Sequence, residues 1–457
     1  MHRIKEYFCA FKFLKTMSPF AVKAIQLLLS LSLLIVLHEL GHFIPAKLFK
    51  TRVEKFFLFF DVKFALFKKK IGDTVYGIGW LPLGGYVKIA GMIDESMDKE
   101  QMAGPPQPWE FRSKPAWQRL IIMLGGVTVN IIVGFVIYMS LLYFYGRDIT
   151  TNDDIPEGFS VAQEFKDLGF KDGDHILKVN GEEFENVLDI NRYLFLRDVE
   201  EVEVRHNDGT IESLSLPEDI GMTMFKGGIM RPFEPLRIPT IDTVAADFPA
   251  IEAGFKNGDK VVSINGETIN YWHEFTAIVK SNAGKENTVV VSRGIVLDTL
   301  RVTPNEDGQI GVQNFGKEFI GKGTHLTFSL GESIAGGTSF GIDKLKDYAK
   351  QFKYVFTKEG ATQVGGFGAI GNLFPGTWNW MSFWETTALI SIILAFMNIL
   401  PIPALDGGHV MFLLYEMVTG RKPNDKFMEY AQMIGFFLLI ALVLFANGND
   451  IYRAIFK

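Results

Sequence analysis

The stretch LLIVLHELGHFIPAKLF, from Leu33 to Phe49, combines a membrane-like run with polar chemistry. Its apolar residues belong to a nearly uncharged run of about twenty residues, which is long enough to cross a membrane as a helix. Within that run His38 and His42 are four residues apart, so on a helix both side chains project from one face and can share a zinc ion. Glu39 between them can take a proton from an attacking water. The stretch therefore predicts a membrane helix with a hydrolytic zinc site.

Two simpler explanations of this stretch fail. A lone histidine on an apolar helix face is usually a satisfied core residue, but three ionisable groups in one spanning segment are costly in lipid. A functional role is then the default interpretation. A signal peptide fails because the apolar part is too long, lacks a small-residue cleavage pattern and continues into His38, Glu39 and His42.

The composition indicates a protein of several domains with concentrated apolar blocks. The chain has 457 residues, of which 48% are hydrophobic and 21% are charged. Its single cysteine, Cys9, excludes an internal disulfide framework and a Cys-rich zinc site. Any metal ligands must therefore be His, Asp or Glu.

Charge is divided unevenly along the chain. Residues 151–230 contain 19 Asp and Glu against 7 Lys and Arg, whereas residues 47–119 contain 13 Lys and Arg against 8 Asp and Glu. The basic stretch lies beside apolar runs and lacks the interleaved aromatics of a nucleic-acid surface. We interpret it as membrane-flanking charge and predict no nucleic-acid partner.

Four apolar blocks reach the length of a membrane-spanning helix, so a lipid bilayer is the expected surrounding. The loop between the first two blocks is the most basic connection, which places it in the cytoplasm by the positive-inside rule. Counting crossings then places residues 146–380 and both termini outside the cytoplasm. The four blocks occupy residues 20–44, 118–145, 382–402 and 427–446.

The external region contains an internal repeat. Residues 168–194 and 253–279 share Gly-Phe-Lys-x-Gly-Asp and, later, Asn-Gly-Glu at the same offsets. Both copies resemble PDZ domains, which implies two α/β PDZ-like domains, at 150–225 and 226–316. Such modules capture extended peptides by strand addition, so a peptide ligand is a candidate partner. Neither copy has an obvious Gly-Leu-Gly-Phe carboxylate loop.

An amphipathic helix is predicted between the second repeat and the third apolar block. Residues 329–360 place apolar side chains at helical spacing with lysines opposite. The helix is expected either to lie on the membrane surface or to pack on the PDZ-like domains.

A third metal ligand is predicted in MNILPIPALDGGHV, at the end of the third apolar block. Pro401 and Pro403 stop the helix, so the chain should unwind near Asn398 and bring the Asp406 carboxylate inward from an irregular segment. A zinc site with three protein ligands keeps a fourth position open for water.

Two alternatives concern the same segment. Asp406 could simply cap a helix that begins after Gly407 and Gly408, which would give it a structural role. His409, three residues further on, is a rival metal ligand.

Together, His-Glu-x-x-His in a first spanning helix and Asn-x-x-Pro-x-Pro-x-Leu-Asp-Gly in a late one resemble the site-2 protease family of intramembrane zinc metalloproteases. With tandem PDZ-like domains between the second and third helices, the chain is most similar to the RseP-type branch. The resemblance implies that His38, His42 and Asp406 bind Zn²⁺, that Glu39 is the general base and that Asn398 contacts the substrate strand. It places the catalytic site toward the cytoplasmic side.

The segment YGIGWLPLGGYVKIAG, residues 76–91, alternates apolar residues around a Pro-Leu-Gly-Gly turn and predicts a β-hairpin. In the resembling family a re-entrant hairpin pairs with the unwound substrate, which makes Gly84, Gly85 and Tyr86 substrate-binding candidates. The simpler interpretation is a surface hairpin with a tight turn.

Further residues match or depart from the family pattern. In the second block Gly126 and Asn130 match a Gly-x-x-x-Asn motif, where close helix packing alone would explain the glycine. Asn130 is a candidate supporting residue, as are Pro401 and Pro403. Phe367, within residues 364–371, stands where the family often has proline, so a different local loop shape is expected.

These observations predict a mainly α polytopic membrane protein with about four transmembrane helices, a membrane-associated β-hairpin and two inserted PDZ-like domains. Residues 1–145 would hold the first two helices and residues 361–457 the last two. The resemblance implies cleavage of single-pass membrane substrates in a bacterial inner membrane, such as an anti-sigma factor pre-cut by another protease, or remnant signal peptides. The alternatives are a non-catalytic PDZ scaffold with a structural zinc and a soluble zinc protease with an N-terminal anchor.

Overall fold

The structure is a computed structural model that describes residues 17–82, 84–92, 104–314 and 323–456. Cys9, Leu83 of the predicted hairpin turn, the start of the 1–145 segment and the end of the 226–316 segment lie outside the described residues. The chain divides into two compact units. The membrane unit comprises Met1–Gly146 and Thr327–Lys457, and the strand-rich unit comprises Arg147–Leu326.

The N-terminal part of the membrane unit consists of two long helices and four strands. Ser18 accepts a hydrogen bond at the start of the first helix, where Pro19 occupies a position that needs no N–H donor. That helix continues through Pro45, so it ends later than residue 44. The elements are α1 (Pro19–Leu48), β1 (Val53–Leu58), β2 (Phe60–Ile71), β3 (Thr74–Leu81), β4 (Tyr86–Ile89) and α2 (Ala116–Tyr145), with a 3₁₀ turn at Phe111–Ser113.

The four strands form one sheet in the order β2-β3-β1-β4, which corrects the predicted hairpin at 76–91. β1 pairs in parallel with β3 and antiparallel with β4, so β3 and β4 lie on opposite sides of β1 and do not pair with each other. The connecting loop passes closely over β1, because a Cβ on Gly85 would lie 2.7 Å from the Phe57 carbonyl oxygen. β4 is therefore an edge strand, and the actual hairpin is β2–β3, which turns at Gly72.

The strand-rich unit contains the two sequence repeats and folds each around its own apolar core. Its elements are β5 (Arg147–Ile149), β6 (Phe159–Val161), α3 (Gln163–Lys166), β7 (His175–Val179), β8 (Glu182–Glu183), α4 (Ile190–Leu196), β9 (Glu201–Arg205), β10 (Ile211–Ser215), α5 (Ile220–Gly227), β11 (Phe233–Pro235), β12 (Thr243–Val244), α6 (Pro249–Glu252), β13 (Lys260–Ile264), β14 (Glu267–Thr268), α7 (Trp272–Ser281), β15 (Asn287–Arg293), β16 (Val296–Val302), β17 (Val312–Gln313) and β18 (Thr324–Leu326), with 3₁₀ turns at Asn152–Asp154 and Val187–Asp189.

The repeat is structural as well as sequential. The first copy forms a sheet of order β10-β9-β7-β8, and the second forms the equivalent sheet, β16-β15-β13-β14. In both copies the Asp of Gly-Asp accepts a hydrogen bond from the backbone three residues earlier, with Asp174 2.8 Å from Lys171 N and Asp259 2.9 Å from Lys256 N. Strands β5 and β18 pair where the chain enters and leaves the unit.

The C-terminal part of the membrane unit is helical. Within the described residues, four helices of the chain are long and apolar enough to cross a membrane, and each overlaps one of the four predicted blocks. They are α1, α2, Trp380–Ile399 and Asp425–Phe456. The elements of this part are α8 (Leu330–Val355), α9 (Lys358–Ala361), α10 (Phe367–Gly371), α11 (Trp380–Ile399), α12 (Asp406–Thr419) and α13 (Asp425–Phe456).

The predicted amphipathic helix corresponds to α8, but its packing differs from both expectations. Phe340 of α8 lies edge-on to Tyr138 of α2, with ring centroids 5.0 Å apart. Tyr348 and Phe352 of α8 both contact Phe396 of α11. The apolar face of α8 is therefore covered by spanning helices of the same unit.

The loop before α11 is held by polar side chains of α13. The Phe367 N–H donates to Asn447 Oδ1 at 3.2 Å, and the N–H groups of Gly366 and Ala369 donate to Asp450 Oδ2, each at 3.0 Å. Proline at position 367 could not donate this hydrogen bond. The departure from the family pattern thus has a structural consequence, because Phe367 supplies a donor that joins the loop to the last helix.

Candidate metal centre

The metal-binding motif of α1 is brought against α2 by a close crossing of the two helices. A Cβ on Gly41 would collide with the carbonyl of Gly125, and a Cβ on Gly125 would collide with the carbonyl of Gly41. Only glycine at both positions allows the backbones to approach this closely. The crossing places the His38–His42 face of α1 directly on α2.

Each histidine is oriented by a group on α2. Nδ1 of His42 donates to the backbone carbonyl of Ile122 at 2.8 Å, which leaves Nε2 with a free lone pair in the neutral ring. Nδ1 of His38 lies 3.2 Å from the amide of buried Asn130. As placed, Asn130 Nδ2 faces this nitrogen; turning the amide so that Oδ1 accepts from the Nδ1–H is the arrangement that agrees with a metal-binding Nε2, and we assign it so. His38 Nε2 is then also unprotonated.

The segment after α11 delivers Asp406. The helix ends at Ile399, before Pro401, and the irregular chain that follows includes Ala404 in a left-handed conformation with φ of 76°. Gln432 of α13 holds this segment by accepting a hydrogen bond from the Ala404 N–H. Pro401 and Pro403 therefore act by ending one helix and shaping the return to the next.

Neither alternative for this segment agrees with the structure. Helix α12 begins at Asp406 itself, its N-cap is Leu405, and no side chain caps it, so Asp406 is not a capping residue. Nε2 of His409 lies 3.0 Å from Gln432 Nε2 on α13, and His409 is outside the metal-binding cluster.

Among the described residues, His38, His42 and Asp406 form the group of side chains that could hold a metal ion. Asp406 Oδ2 lies 3.3 Å from His38 Nε2 and 3.4 Å from His42 Nε2, and the two Nε2 atoms are 3.2 Å apart. Tetrahedral zinc with ligands at its usual bond lengths requires ligand atoms roughly 3.3 Å apart. Asp406 Oδ2 is buried without a hydrogen-bond partner in the described part of the chain. Three converging lone pairs without a donor fit a bound cation.

Gly126 forms the floor of this cluster. A Cβ at this position would lie 2.6 Å from His38 Cε1 and 2.8 Å from His38 Nε2, and closer still to His42 Nε2. Any side chain at position 126 would therefore fill the space between the two imidazoles. The glycine of the Gly-x-x-x-Asn motif is explained by the site itself and not only by helix packing.

Glu39 lies beside the cluster and next to the edge strand. Its carboxylate is within electrostatic reach of His38, His42 and Asp406. The backbone of Val87 in β4 is within hydrogen-bonding reach of the same carboxylate. A Cβ on Gly85 would lie 3.6 Å from Glu39 Cγ. The candidate general base and the start of β4 are thus neighbours.

The structure gives less direct support for two other predicted substrate-binding residues, Asn398 and Tyr86. Asn398 is in the last turn of α11, is partly exposed and makes no side-chain hydrogen bond to any described residue. Tyr86 uses its side chain within the sheet, where its hydroxyl donates to Asp61 Oδ1 at 2.7 Å and its ring stacks on Phe57 and Phe60.

Several supporting residues are absent from the sequence-based prediction. The Ile122 carbonyl orients His42, and Ser391 of α11 donates to the backbone carbonyl of Asn130 at 2.7 Å. A backbone carbonyl carries no residue-specific signal, so no pattern could have identified Ile122. The paired glycines at 41 and 125 could have been found as small residues within two adjacent apolar blocks.

The fold and the cluster together define a membrane protein with a metal-binding site built between its helices. The model of peptidase family M50 matches residues 26–442, nearly the whole chain. The chain belongs to this family, the site-2 proteases, and it is a zinc metalloprotease and an integral membrane protein.

Curated relatives of full length agree. The regulator of sigma-E protease RseP of Salmonella typhimurium is 27% identical, over 93% of this chain and 97% of the relative. The zinc metalloprotease RasP of Oceanobacillus iheyensis is 27% identical, over 94% and 98%. The probable protease eep of Enterococcus faecalis is 28% identical, over 94% and 99%.

Proposed function

We propose that this protein cuts single-pass membrane proteins within or near their transmembrane helices, at a zinc site held by His38, His42 and Asp406. The convergence of these three ligand atoms to 3.2–3.4 Å between apolar helices carries the proposal. When bound, zinc supplies Lewis-acid polarisation of the scissile carbonyl and a nucleophilic water at neutral pH. Asn130 and Ile122 keep the imidazoles in the tautomer that binds metal.

Glu39 acts as general base in this mechanism. It takes the proton of the attacking water and passes it to the leaving amine. Its position beside all three ligands and on the same helix as the histidines supports this role. The glycine loop at 84–85 and helix α1 limit the room around the carboxylate, which restricts access of bulk water.

The substrate binds as an extended strand along β4. A helix hides its carbonyls in its own hydrogen bonds, so a transmembrane substrate has to unwind before attack. An edge strand offers unpaired backbone groups for such a segment. β4 is the edge of its sheet and lies next to Glu39, so Gly84, Gly85 and Tyr86 are the proposed substrate-binding residues. Asn398, at the end of α11, is proposed to hold the other side of the strand.

The proposed setting is the inner membrane of a bacterium, with the site toward the cytoplasm and the strand-rich unit outside. The basic residues between the first two spanning helices support this orientation. The two repeats share one sheet order and the same Asn-Gly turn, which supports two copies of one PDZ-like domain. Such domains would select substrates already trimmed by another protease. One relative is named regulator of sigma-E protease, which supports an anti-sigma factor as substrate, beside remnant signal peptides.

The test is the variant Glu39→Gln. It should retain zinc in metal analysis of the purified protein, while cleavage of a model transmembrane substrate in detergent falls by about 10²–10⁴-fold. Glu359→Gln, which changes an exposed carboxylate on α9, is the matched control and should cleave at the wild-type rate. Cleavage by Glu39→Gln at the wild-type rate would contradict the proposal and support a scaffold with structural zinc. Comparing membranes that carry each variant would reveal the substrate as an accumulated fragment.

A further inference from the structure

A cavity of about 430 Å³ lies among the helices of the membrane unit and shares no residue with the metal cluster. Its volume falls within the range of small-molecule sites, roughly 300–1,000 Å³. Side chains of α2, α8 and α11 line it, together with the segment that precedes α11. Those that matter for recognition are Tyr138, Lys344, Phe374, Ser382, Glu385 and Leu389.

The cavity contains a buried hydroxyl that has no hydrogen-bond partner among the described residues. Tyr138 is 2% exposed, and its hydroxyl makes no hydrogen bond within the part of the chain that the structure describes. The edge-on contact with Phe340 fixes the ring, so the hydroxyl cannot turn away to find another partner. A buried hydroxyl in apolar surroundings is costly unless it is bonded. The missing partner therefore belongs to whatever fills the cavity.

Opposite charges line the same cavity. Glu385 is an exposed carboxylate on spanning helix α11, it makes no ion pair with a described residue, and it interacts electrostatically with Tyr138. The ammonium of Lys344 on α8 lies 4.9 Å from the centroid of the Phe340 ring. The cavity thus presents a cation, an anion and a hydroxyl donor.

Aromatic residues show the depth at which the cavity lies. Trp378, Trp380 and Trp384 surround the start of α11, next to Glu385. Tryptophans collect where lipid headgroups meet the hydrocarbon core, because the ring is largely apolar and carries one polar N–H. Glu385 and the cavity are therefore at headgroup level.

We propose that this cavity binds the phosphoethanolamine headgroup of a membrane phospholipid. Lys344 and the Tyr138 hydroxyl receive the phosphate, Glu385 receives the ammonium, and Phe374 and Leu389 face the apolar part next to the headgroup. A primary ammonium donates hydrogen bonds to a carboxylate, which a trimethylammonium group cannot do. A purely anionic headgroup would leave the Glu385 charge uncompensated. The site would keep this lipid bound at the side of the protein away from the metal.

Lipid retention by the full-length, zinc-loaded protein tests the proposal. The protein is equilibrated in micelles that contain phosphatidylethanolamine, phosphatidylcholine or phosphatidylglycerol with matched acyl chains, and bound lipid is counted by native mass spectrometry. We expect wild type to prefer phosphatidylethanolamine by about tenfold or more, since charge-assisted hydrogen bonds are the stronger ones. Glu385→Gln and Lys344→Gln should each abolish the preference, and Tyr138→Phe should weaken it.

The matched control is Lys346→Gln, which removes an exposed lysine from the same helix and should retain the wild-type preference. If a variant fails to fold, the wild-type protein alone still tests the proposal. Its thermal unfolding midpoint should rise when phosphatidylethanolamine is added and should not rise when phosphatidylcholine is added. Equal retention of the three lipids, or unchanged retention by Glu385→Gln, would overturn the proposal. So would soluble phosphoethanolamine binding as tightly as the lipid, or a transmembrane substrate peptide displacing the lipid from the cavity.

Discussion

The two units treat a buried aspartate in opposite ways. In the strand-rich unit Asp259 is 1% exposed and accepts two hydrogen bonds from Arg293, of 2.7 and 3.0 Å. Its counterpart in the first repeat, Asp174, accepts from His206 at 2.6 Å. In the membrane unit, Asp406 Oδ2 is buried and faces two imidazole nitrogens without receiving a proton from a described residue. An aspartate that stabilises the fold accepts hydrogen bonds from donor side chains. An aspartate that binds a metal keeps its lone pairs available for the ion.

Unpartnered buried atoms follow the same division. Among the described residues, most of the buried side-chain polar atoms without a hydrogen-bond partner belong to the membrane unit, including Gln26 Oε1, Tyr138 Oη and Asp406 Oδ2. Such atoms destabilise a fold unless something else binds them. The comparison indicates that the membrane unit is organised around groups that the chain alone does not satisfy.

The largest effect is expected at Asp406. Asp406→Asn keeps the shape of the side chain but removes the charge, so zinc content should fall and proteolysis should drop by about 1,000-fold or more. Metal analysis measures the zinc content, and cleavage of a model transmembrane substrate measures the rate of proteolysis. The matched variant Asp259→Asn should keep both zinc and activity. Equal loss of zinc in both variants would show that the aspartates do not differ in the way described.

A smaller effect is expected at the residue that orients His38. Asn130→Ala removes the hydrogen-bond partner of Nδ1, and such outer partners usually contribute 10–100-fold to metal affinity. Competition with a chelator at neutral pH measures the change. Ser391→Ala is the control, because that hydroxyl donates to the Asn130 backbone carbonyl and not to the side chain that orients His38. A zinc affinity equal to that of wild type would mean that packing alone orients His38.

Removing Arg293, whose guanidinium donates to Asp259, should lower the stability of the strand-rich unit and leave the zinc content unchanged. Arg293→Gln leaves Asp259 buried with fewer donors, and the second repeat should unfold at a lower temperature by more than about 4 °C. Hydrogen exchange of the full-length protein, measured on peptides that cover β13 and β15, localises the change. Arg301→Gln, which alters an exposed arginine on β16, is the control. A loss of zinc in Arg293→Gln would contradict the conclusion that Asp259 stabilises the fold while Asp406 serves the metal.

The smallest effect concerns pH and the first repeat. Burial lowers the pKa of His206, but hydrogen bonds to Asp174 and Glu212 outweigh it, so the net pKa is raised above its usual value. A raised pKa in the folded state means that this contribution is fully present below about pH 6.5 and is lost as pH rises through the folded pKa. Exchange protection of β7 and β9 should therefore decline with rising pH in wild type and less so in His206→Gln.

His175 provides the opposite sign for comparison. Burial, together with the nearby Arg205, lowers the pKa of this histidine, so its contribution is present above about pH 6.5 and is lost as pH falls through the folded pKa. In His206→Gln, the exchange protection of β7 and β9 should then decline mainly as the pH falls. A pH profile identical in wild type and His206→Gln would contradict the assigned role of the Asp174–His206 contact.

Much of the architecture could be predicted because its signals are local. The four long apolar helices follow from uninterrupted apolar runs, and the duplicated fold follows from Gly-Asp and Asn-Gly at matched offsets. The prediction of a hairpin at 76–91 was wrong because alternating apolar residues predict strands but do not determine which strands pair. β1 inserts between β3 and β4, and that pairing depends on residues before the segment. For the same reason, periodicity identified α8 but not the helices that cover it.

The sequence by itself determined the chemistry available to this protein. Two histidines one helical turn apart, a neighbouring glutamate and an aspartate after two prolines are local facts, and each follows from helix geometry or from the missing N–H of proline. Only the tertiary structure decided that the carbonyl of Ile122 orients one histidine, that Gly126 leaves room between the rings, and that the edge strand β4 lies beside Glu39. Those relations join segments far apart in the chain, and they depend on how closely helices and strands can pack.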